Sequence, residues 1–342
     1  MNRLNIGIIG AGRIGQVHAR SLIFGVPRAN VLAISDVVFE GARKLAVELG
    51  VPNVYSDYHD IINNKLIDAV FICSPTNTHA DIAMEAARAG KHIFCEKPID
   101  LSIKKIYETK KVVEENHVKM QIGFNRRFDH NFAQIKKLSD SNVLGKIEMI
   151  RVTSRDPEAP PLHYIEGSGG MFLDMTIHDF DMARFQAGSE IEEVYAVGTV
   201  LVNPQIGEAG DIDTAIITLK FKNGAIGVIE NSRRAVYGYD QRLEVFGSKG
   251  AASAENDTPT NVKVSTQEAV TLDKPLYFFL QRYMQSFNEE AKQFVDAVLD
   301  DKPVPVTIDD GLNPILIAMA ANKSMKENRP VRIDEIIGEL DL

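Results

Sequence analysis

The sequence predicts an α/β part over residues 1–123, a doubly wound parallel sheet, and an α+β part over residues 124–342 built on an open, largely antiparallel sheet. Three observations predict it. From residue 3 to about 123, short apolar runs alternate with amphipathic stretches, the pattern of parallel strands joined by right-handed helical crossovers. Beyond residue 124 strand-like runs follow one another without helices between them, and Asn223-Gly224 separates two of them as a hairpin turn. A length of 342 residues, 44% of them hydrophobic, is enough for two cores.

In chain order, Ile6-Gly7-Ile8-Ile9 reads as a buried strand, and the stretch through His18, Ala19, Leu22 and Ile23 as the helix after it. Val31–Ile34 is the next strand, and the helix over 39–49 is closed by Gly50. A short strand at 53–55, a helical segment near 57–64 and the strand Ala69–Cys73 follow. The helix from Thr78 to Ala89 stops at Gly90, then come the strand His92–Cys95, a helix near 102–116 and a strand at 119–122. In the second part a helix near 130–139 leads to strands at 146–153, 194–201, 214–221, 225–231 and 241–246, with weaker ones at 261–265 and 269–272. Long helices are expected at 277–300 and 308–328, and the C-terminal helix is allowed to pack back on the first part.

The first strand runs into Gly10-Ala11-Gly12-Arg13-Ile14-Gly15, a G-x-G-x-x-G in strand–turn–helix context, the phosphate-binding turn of a Rossmann domain. Gly10 permits the tight turn, Gly12 lets a pyrophosphate approach the backbone, and Gly15 lets helix and strand pack closely. Asp36 ends the second strand 21 residues beyond Gly15, placed to accept ribose hydroxyls and disfavour a 2′-phosphate. The expected cofactor is therefore NAD. Ligands of such sheets sit at the carboxyl ends of the strands, which selects Ser74, Thr76, Asn77 and His79 after the fourth strand, and Glu96 and Lys97 before Pro98 after the fifth. The alternative for the first group is that its hydroxyls only cap the helix, and for Glu96-Lys97 an exposed turn with a surface ion pair, but the carboxyl end of a buried strand points that pair into the cleft; Pro98 makes a rigid turn that accommodates a cis bond.

Residues 171–182 combine apolar residues nearly all round a helix with Asp174, His178 and Asp181 at i, i+4 and i+7. Such a stripe either faces a cleft or is paired in the core. Histidine titrates near working pH and can take an alcohol proton, and an aspartate one turn away can orient it. A metal site on the same three residues lacks a second histidine motif, and no metal is expected. Arg155, Asp156, His163 and Tyr164 lie in the loop before this helix, where they either reach a polar substrate or serve the loop alone.

Taken together, Gly10–Gly15, Cys95-Glu96-Lys97-Pro98, the run Gly123 to Asp129, the run Leu173 to Asp181 and Tyr237 to Arg242 resemble the glucose–fructose oxidoreductase/inositol dehydrogenase/rhizopine-catabolism family, close to its inositol branch. The resemblance covers essentially the whole chain. It implies that Lys97, Asp174 and His178 are the catalytic group, that Arg127 and Tyr237 contact substrate, and that Tyr283 is a further candidate. It also implies NAD-dependent oxidation of a cyclic polyol, myo-inositol to scyllo-inosose, by a homotetramer joined through the C-terminal sheet. Another inositol isomer (scyllo or chiro), an aldose such as glucose, a metal-dependent isomerase or lyase, and a non-catalytic dinucleotide sensor stay open as alternatives.

A net charge of −9 and no basic patch argue against a nucleic-acid partner. No apolar run reaches the ~18 residues of a membrane span. The first residues enter a strand with no leader pattern, so a cytoplasmic protein is expected. Cys73 and Cys95 are expected as small packing residues, not as a disulfide.

Overall fold

The computed structural model describes residues 2–340, in two units. The first comprises residues up to Phe128 together with Met284–Asn313. Its elements are β1 (Leu4–Ile9), α1 (Arg13–Arg20), β2 (Ala29–Ser35), α2 (Phe39–Leu49), β3 (Asn53–Tyr55), α3 (His59–Ile62), β4 (Ala69–Ile72), α4 (Thr76–Arg88), β5 (His92–Glu96), α5 (Ile103–Glu115) and β6 (Met120–Gly123). The strands form a six-stranded sheet in the order β3-β2-β1-β4-β5-β6, every pair parallel. Because helices cover both faces, β4 is buried along its whole length. The order reverses between β1 and β4, and at that point the carboxyl ends of neighbouring strands part to form the ligand crevice of such sheets.

The second unit begins with α6 (His130–Asp140), β7 (Ile147–Arg155), α7 (Leu162–Ser168), α8 (Met171–Asp174), α9 (Ile177–Ala187), β8 (Ile191–Thr199) and α10 (Pro204–Glu208). It continues with β9 (Thr214–Phe221), β10 (Ile226–Ser232), β11 (Asp240–Gly247), β12 (Gly250–Ala254), the small pair β13 (Lys263–Ser265) and β14 (Val270–Leu272), and α11 (Phe279–Arg282). The chain then returns to the first unit as α12 (Met284–Leu299) and the start of α13 (Ile308–Glu327), and ends in the second with the rest of α13, β15 (Val331–Arg332) and α14 (Ile333–Gly338). The seven-stranded sheet runs β12-β11-β7-β10-β9-β8-β15, antiparallel except that β10 pairs β7 in parallel. Burial alternates along β9, so one face carries the core of this unit. The other presents Met149, Val197, Ile216, Ile226 and Phe246, all exposed.

Three expectations on local structure are corrected. The helix expected over 277–300 is two, α11 and α12, parted at Tyr283. Residues 162–168, expected as loop, form α7, which ends at Gly169 in the left-handed conformation. The single helix expected through Asp174, His178 and Asp181 is broken between α8 and α9. At the break, hydrogen bonds shorten to three-residue spacing, His178 N–H donating to Met175 O and Asp179 N–H to Thr176 O. The buried Thr176 hydroxyl bonds to Asn231 Oδ1 at 2.6 Å, a tertiary tie invisible to periodicity.

The core of the first unit shows why residues 284–313 belong to it. Phe71 and Phe94 stack with ring centroids 4.4 Å apart, and Phe294 of α12 stands edge-on to both. Phe294→Ala would empty a fully buried ring site and is expected to cost about 3–5 kcal/mol, read as a lower urea midpoint. An unchanged midpoint would mean that α12 is not part of that core.

Candidate active site

In the first unit the glycine turn is held by close backbone approach. Gly10 has φ +101°, and a Cβ there would lie 2.6 Å from the Cys73 carbonyl. A Cβ on Gly15 would lie 2.0 Å from Gly10 O, so helix and turn tolerate no side chain. At Gly12, by contrast, a Cβ would meet nothing within 4 Å, leaving the open approach that a pyrophosphate needs. The start of α1 has no side-chain cap and no acidic residue in its first turn, so its N–H groups and dipole suit a phosphate. Arg13 is exposed in that turn and Ile14 half-buried. Asp36 Oδ2 accepts the Ala11 N–H at 2.6 Å and Oδ1 the Val38 N–H at 2.8 Å, so the half-buried carboxylate ties the glycine turn to the entry of α2. These features fit a dinucleotide.

The other strand ends divide. Ser74 Oγ and Thr78 Oγ1 bond each other at 2.7 Å, and Thr78 Oγ1 donates to Pro75 O, so these hydroxyls serve their own turn. Thr76 opens α4 and Asn77 is exposed. His79 is buried, with Nδ1 2.8 Å from Pro98 O and Nε2 2.7 Å from Ser74 O, and so braces the two strand-end turns against each other. Glu96 departs from its expected place facing the cleft: its carboxylate turns inward to the buried His18. Successive residues of a strand point to opposite sides, and Glu96 shares the Phe94 side, where His18 packs edge-on to that ring. Lys97 follows, half-buried, joined to Pro98 by a cis peptide bond. Arg127 pairs with Asp310 at 2.8 Å, and Cys73 and Cys95 are buried and unlinked.

In the second unit Asp174 closes α8 and His178 lies in the first turn of α9, both half-buried. Tyr164 OH donates to Asp174 Oδ1 at 2.8 Å, which takes that residue out of the anonymous loop. Arg233, only 1% exposed, lies 3.6 Å from Asp174 Oδ2 and 3.8 Å from Asp211 Oδ2. It is the positive charge that sequence reasoning missed; nothing in its local pattern marks it, since its partners are 59 and 22 residues away. Asp211 also accepts the Met171 N–H at 2.9 Å and so anchors the start of α8. Asn231 Nδ2 donates to Asp179 Oδ2 at 2.8 Å, which with the Thr176 bond fixes the main chain on both sides of His178.

Asp181 leaves the acid–base stripe. It is buried and sits 3.8 Å from Arg184. Asp156 is half-buried, its N–H bonded to Ser232 O. Tyr237 OH donates to Asp240 Oδ2 at 2.5 Å and accepts from Arg155; burial and then Asp240 raise its pKa. Tyr283 is 1% exposed, edge-on to Tyr239 and beneath the Arg282 guanidinium, which pairs with Asp129, so it is enclosed in this unit's core.

Residues 4–124 match the oxidoreductase family with an NAD-binding Rossmann fold, and residues 132–253 match the GFO/IDH/MocA C-terminal domain. The chain is 49% identical to a myo-inositol 2-dehydrogenase of Thermotoga maritima, covering 98% of this chain and 100% of that one. Among solved structures it superposes on a probable dehydrogenase from Thermotoga maritima with TM-score 0.96 and 48% identity, covering 97% and 100% of the two chains. A scyllo-inositol dehydrogenase from Lactobacillus casei with bound NAD(H) and scyllo-inositol superposes with TM-score 0.91 at 34% identity, covering 97% and 100%.

Arg233→Gln would remove a buried guanidinium that lies 3.6 Å from Asp174 and 3.8 Å from Asp211, at an expected cost of about 3–5 kcal/mol. Thermal or urea unfolding checks it, and a loss below ~1 kcal/mol would show that solvent already screens both carboxylates.

Proposed function

The chain belongs to the GFO/IDH/MocA oxidoreductase family, and on that premise we propose that it oxidises myo-inositol to scyllo-inosose with NAD. The observation that carries the chemistry is the placement of Asp174 and His178 on either side of the α8–α9 break, Asp174 beside the buried Arg233 and His178 between Thr176 and Asp179, which Asn231 holds. The substrate is supported by the near-half identity to an enzyme named for myo-inositol. The scyllo-inositol enzyme of the same fold makes that isomer the competing substrate.

NAD, when bound, supplies the hydride acceptor. The glycine turn and the start of α1 would hold its pyrophosphate, and Asp36 its ribose hydroxyls, exchanging the Ala11 N–H bond for the sugar. His178 takes the proton of the reacting hydroxyl, and Asp174 orients the ring and stabilises its charged form. Lys97 is the cation that offsets the negative charge growing on the reacting oxygen. Arg127, Asp156 and Tyr237 supply contacts to the remaining hydroxyls. The exposed apolar face of the seven-stranded sheet is the surface through which copies of the chain pair into a homotetramer. Two unlinked buried thiols suit a reducing, cytoplasmic setting.

A panel of inositol isomers and aldoses with NAD and NADP, followed by NADH absorbance, tests substrate and cofactor together. Turnover highest with myo-inositol and NAD is expected. His178→Ala should lower kcat by about 10²–10⁴ while NAD still binds; near-normal turnover would refute the assignment. For Asp36→Ser the preference for NAD over NADP should relax, and an unaltered ratio would remove Asp36 from the ribose site.

A further inference from the structure

One buried cluster of the first unit has no part in the chemistry above. His18 on α1, Glu96 at the end of β5 and Glu290 on α12 are buried, and one ligand-type atom from each lies within 4.8 Å of the others. His18 packs among the rings of Phe71, Phe94 and Phe287, with centroid distances of 5.5, 4.9 and 5.6 Å. Its Nε2 meets Glu96 Oε1 at 2.6 Å, and the Lys97 main-chain N–H donates to Glu96 Oε2 at 3.2 Å. The neighbouring strand makes room for this carboxylate through Gly123, where a Cβ would lie 3.1 Å from Glu96 Cδ. Neither carboxyl oxygen of Glu290 has a hydrogen-bond partner among the described residues.

Two ionised carboxylates this close in an apolar core repel strongly, so one of them keeps its proton. The donors decide which. Glu96 accepts two hydrogen bonds and Glu290 none, so the charge rests on Glu96 and the proton on Glu290. Burial, and next the charge of Glu96, hold the Glu290 carboxyl well above the usual range. His18 Nδ1 is buried without a hydrogen-bond partner among the described residues, so Nε2 is the ring nitrogen that engages Glu96. A separation of 2.6 Å is a hydrogen-bond length. It leaves no room for a metal ion, whose N and O ligands each stand about 2.0–2.2 Å from it.

We propose that this cluster positions Lys97: Glu96, fixed by His18 and kept singly charged by a neutral Glu290 behind it, clamps the main chain from which Lys97 projects. The proposal rests on the reading of Lys97 as the cation beside the reacting oxygen. The Cys73 thiol after β4, which burial pushes up, also feels Glu290, and Arg126 and Arg127 lie on the turn Asn125–Phe128 that packs against α12. Arg127 is engaged with Asp310.

The protonation state has a readout independent of turnover. In the unfolded chain a glutamate ionises near ~4.3, whereas Glu290 stays neutral in the folded one. Its contribution is fully present below the unfolded value and is lost as pH rises toward the raised folded value. Glu290→Gln keeps the shape and cannot ionise. Its Tm relative to the parent protein should therefore climb by several degrees from pH 5 to pH 8; a flat difference overturns the neutral Glu290.

The positioning role is read from kinetics. Glu96→Gln offers one acceptor oxygen where two are used. It should lower kcat tenfold or more, well below its Tm, with NAD affinity by fluorescence titration held within threefold. Gly123→Ala, which presses on the same carboxylate, is the second variant and should lower kcat at least threefold with the same retention of NAD. Unchanged kcat in both, or losses that merely track the unfolded fraction, overturn the clamp. Lys97→Met separates the premises. If it turns over normally, the role of Lys97 itself fails; if it is inactive while the other variants are normal, only the clamp does.

Discussion

The constraint on which the first unit depends is steric. At the end of β1 the backbone of Gly10 lies against that of Cys73 and Ser74, and Gly15 lies against Gly10 O, at distances where no Cβ fits. That approach sets the angle at which α1 leaves the sheet, and with it the aim of its uncapped N–H groups. It also sets the reach of Asp36, whose carboxylate bonds both the glycine turn and the chain entering α2. The same contact brings the ends of β1 and β4 together beside the point where the strand order reverses.

Electrostatics shape the second unit in a comparable way. A chain that buries Arg233, Asp179, Asp181 and Asn231 must satisfy each of them or lose more stability than a fold can spare. Arg233 stands between Asp174 and Asp211, Asp211 anchors α8, and Asn231 reaches both Thr176 and Asp179. These ties hold the break between α8 and α9, on either side of which Asp174 and His178 lie. Asp181, one turn on from His178, is drawn toward Arg184 instead.

Alternation along a strand does similar work at the end of β5. A buried strand sends neighbouring residues to opposite faces, so the charged pair Glu96-Lys97 is split. Glu96 enters an aromatic core where His18 and the Gly123 gap receive it. A charge in such a place persists only with donors around it, and the Lys97 main chain is one of them.

What the sequence determined by itself is what local spacing encodes. The alternation of apolar runs and helices, the glycine triplet with Asp36 behind it, and the hairpin at Asn223-Gly224 yield the parallel sheet, the cofactor turn and the successive strands of the second part, because each depends on residues within about 30 positions. Lys97, Asp174 and His178 stood out for the same reason, as charged groups at the end of a buried strand or on an apolar helix. Tertiary structure alone decided the rest. It broke the expected helix at Met175–Thr176 through Asn231, turned Glu96 inward to His18, enclosed Tyr283 against Tyr239, and supplied Arg233 as the partner of Asp174. Each of these joins residues far apart in the chain. Burial sets the dielectric and the available donors, which no spacing records.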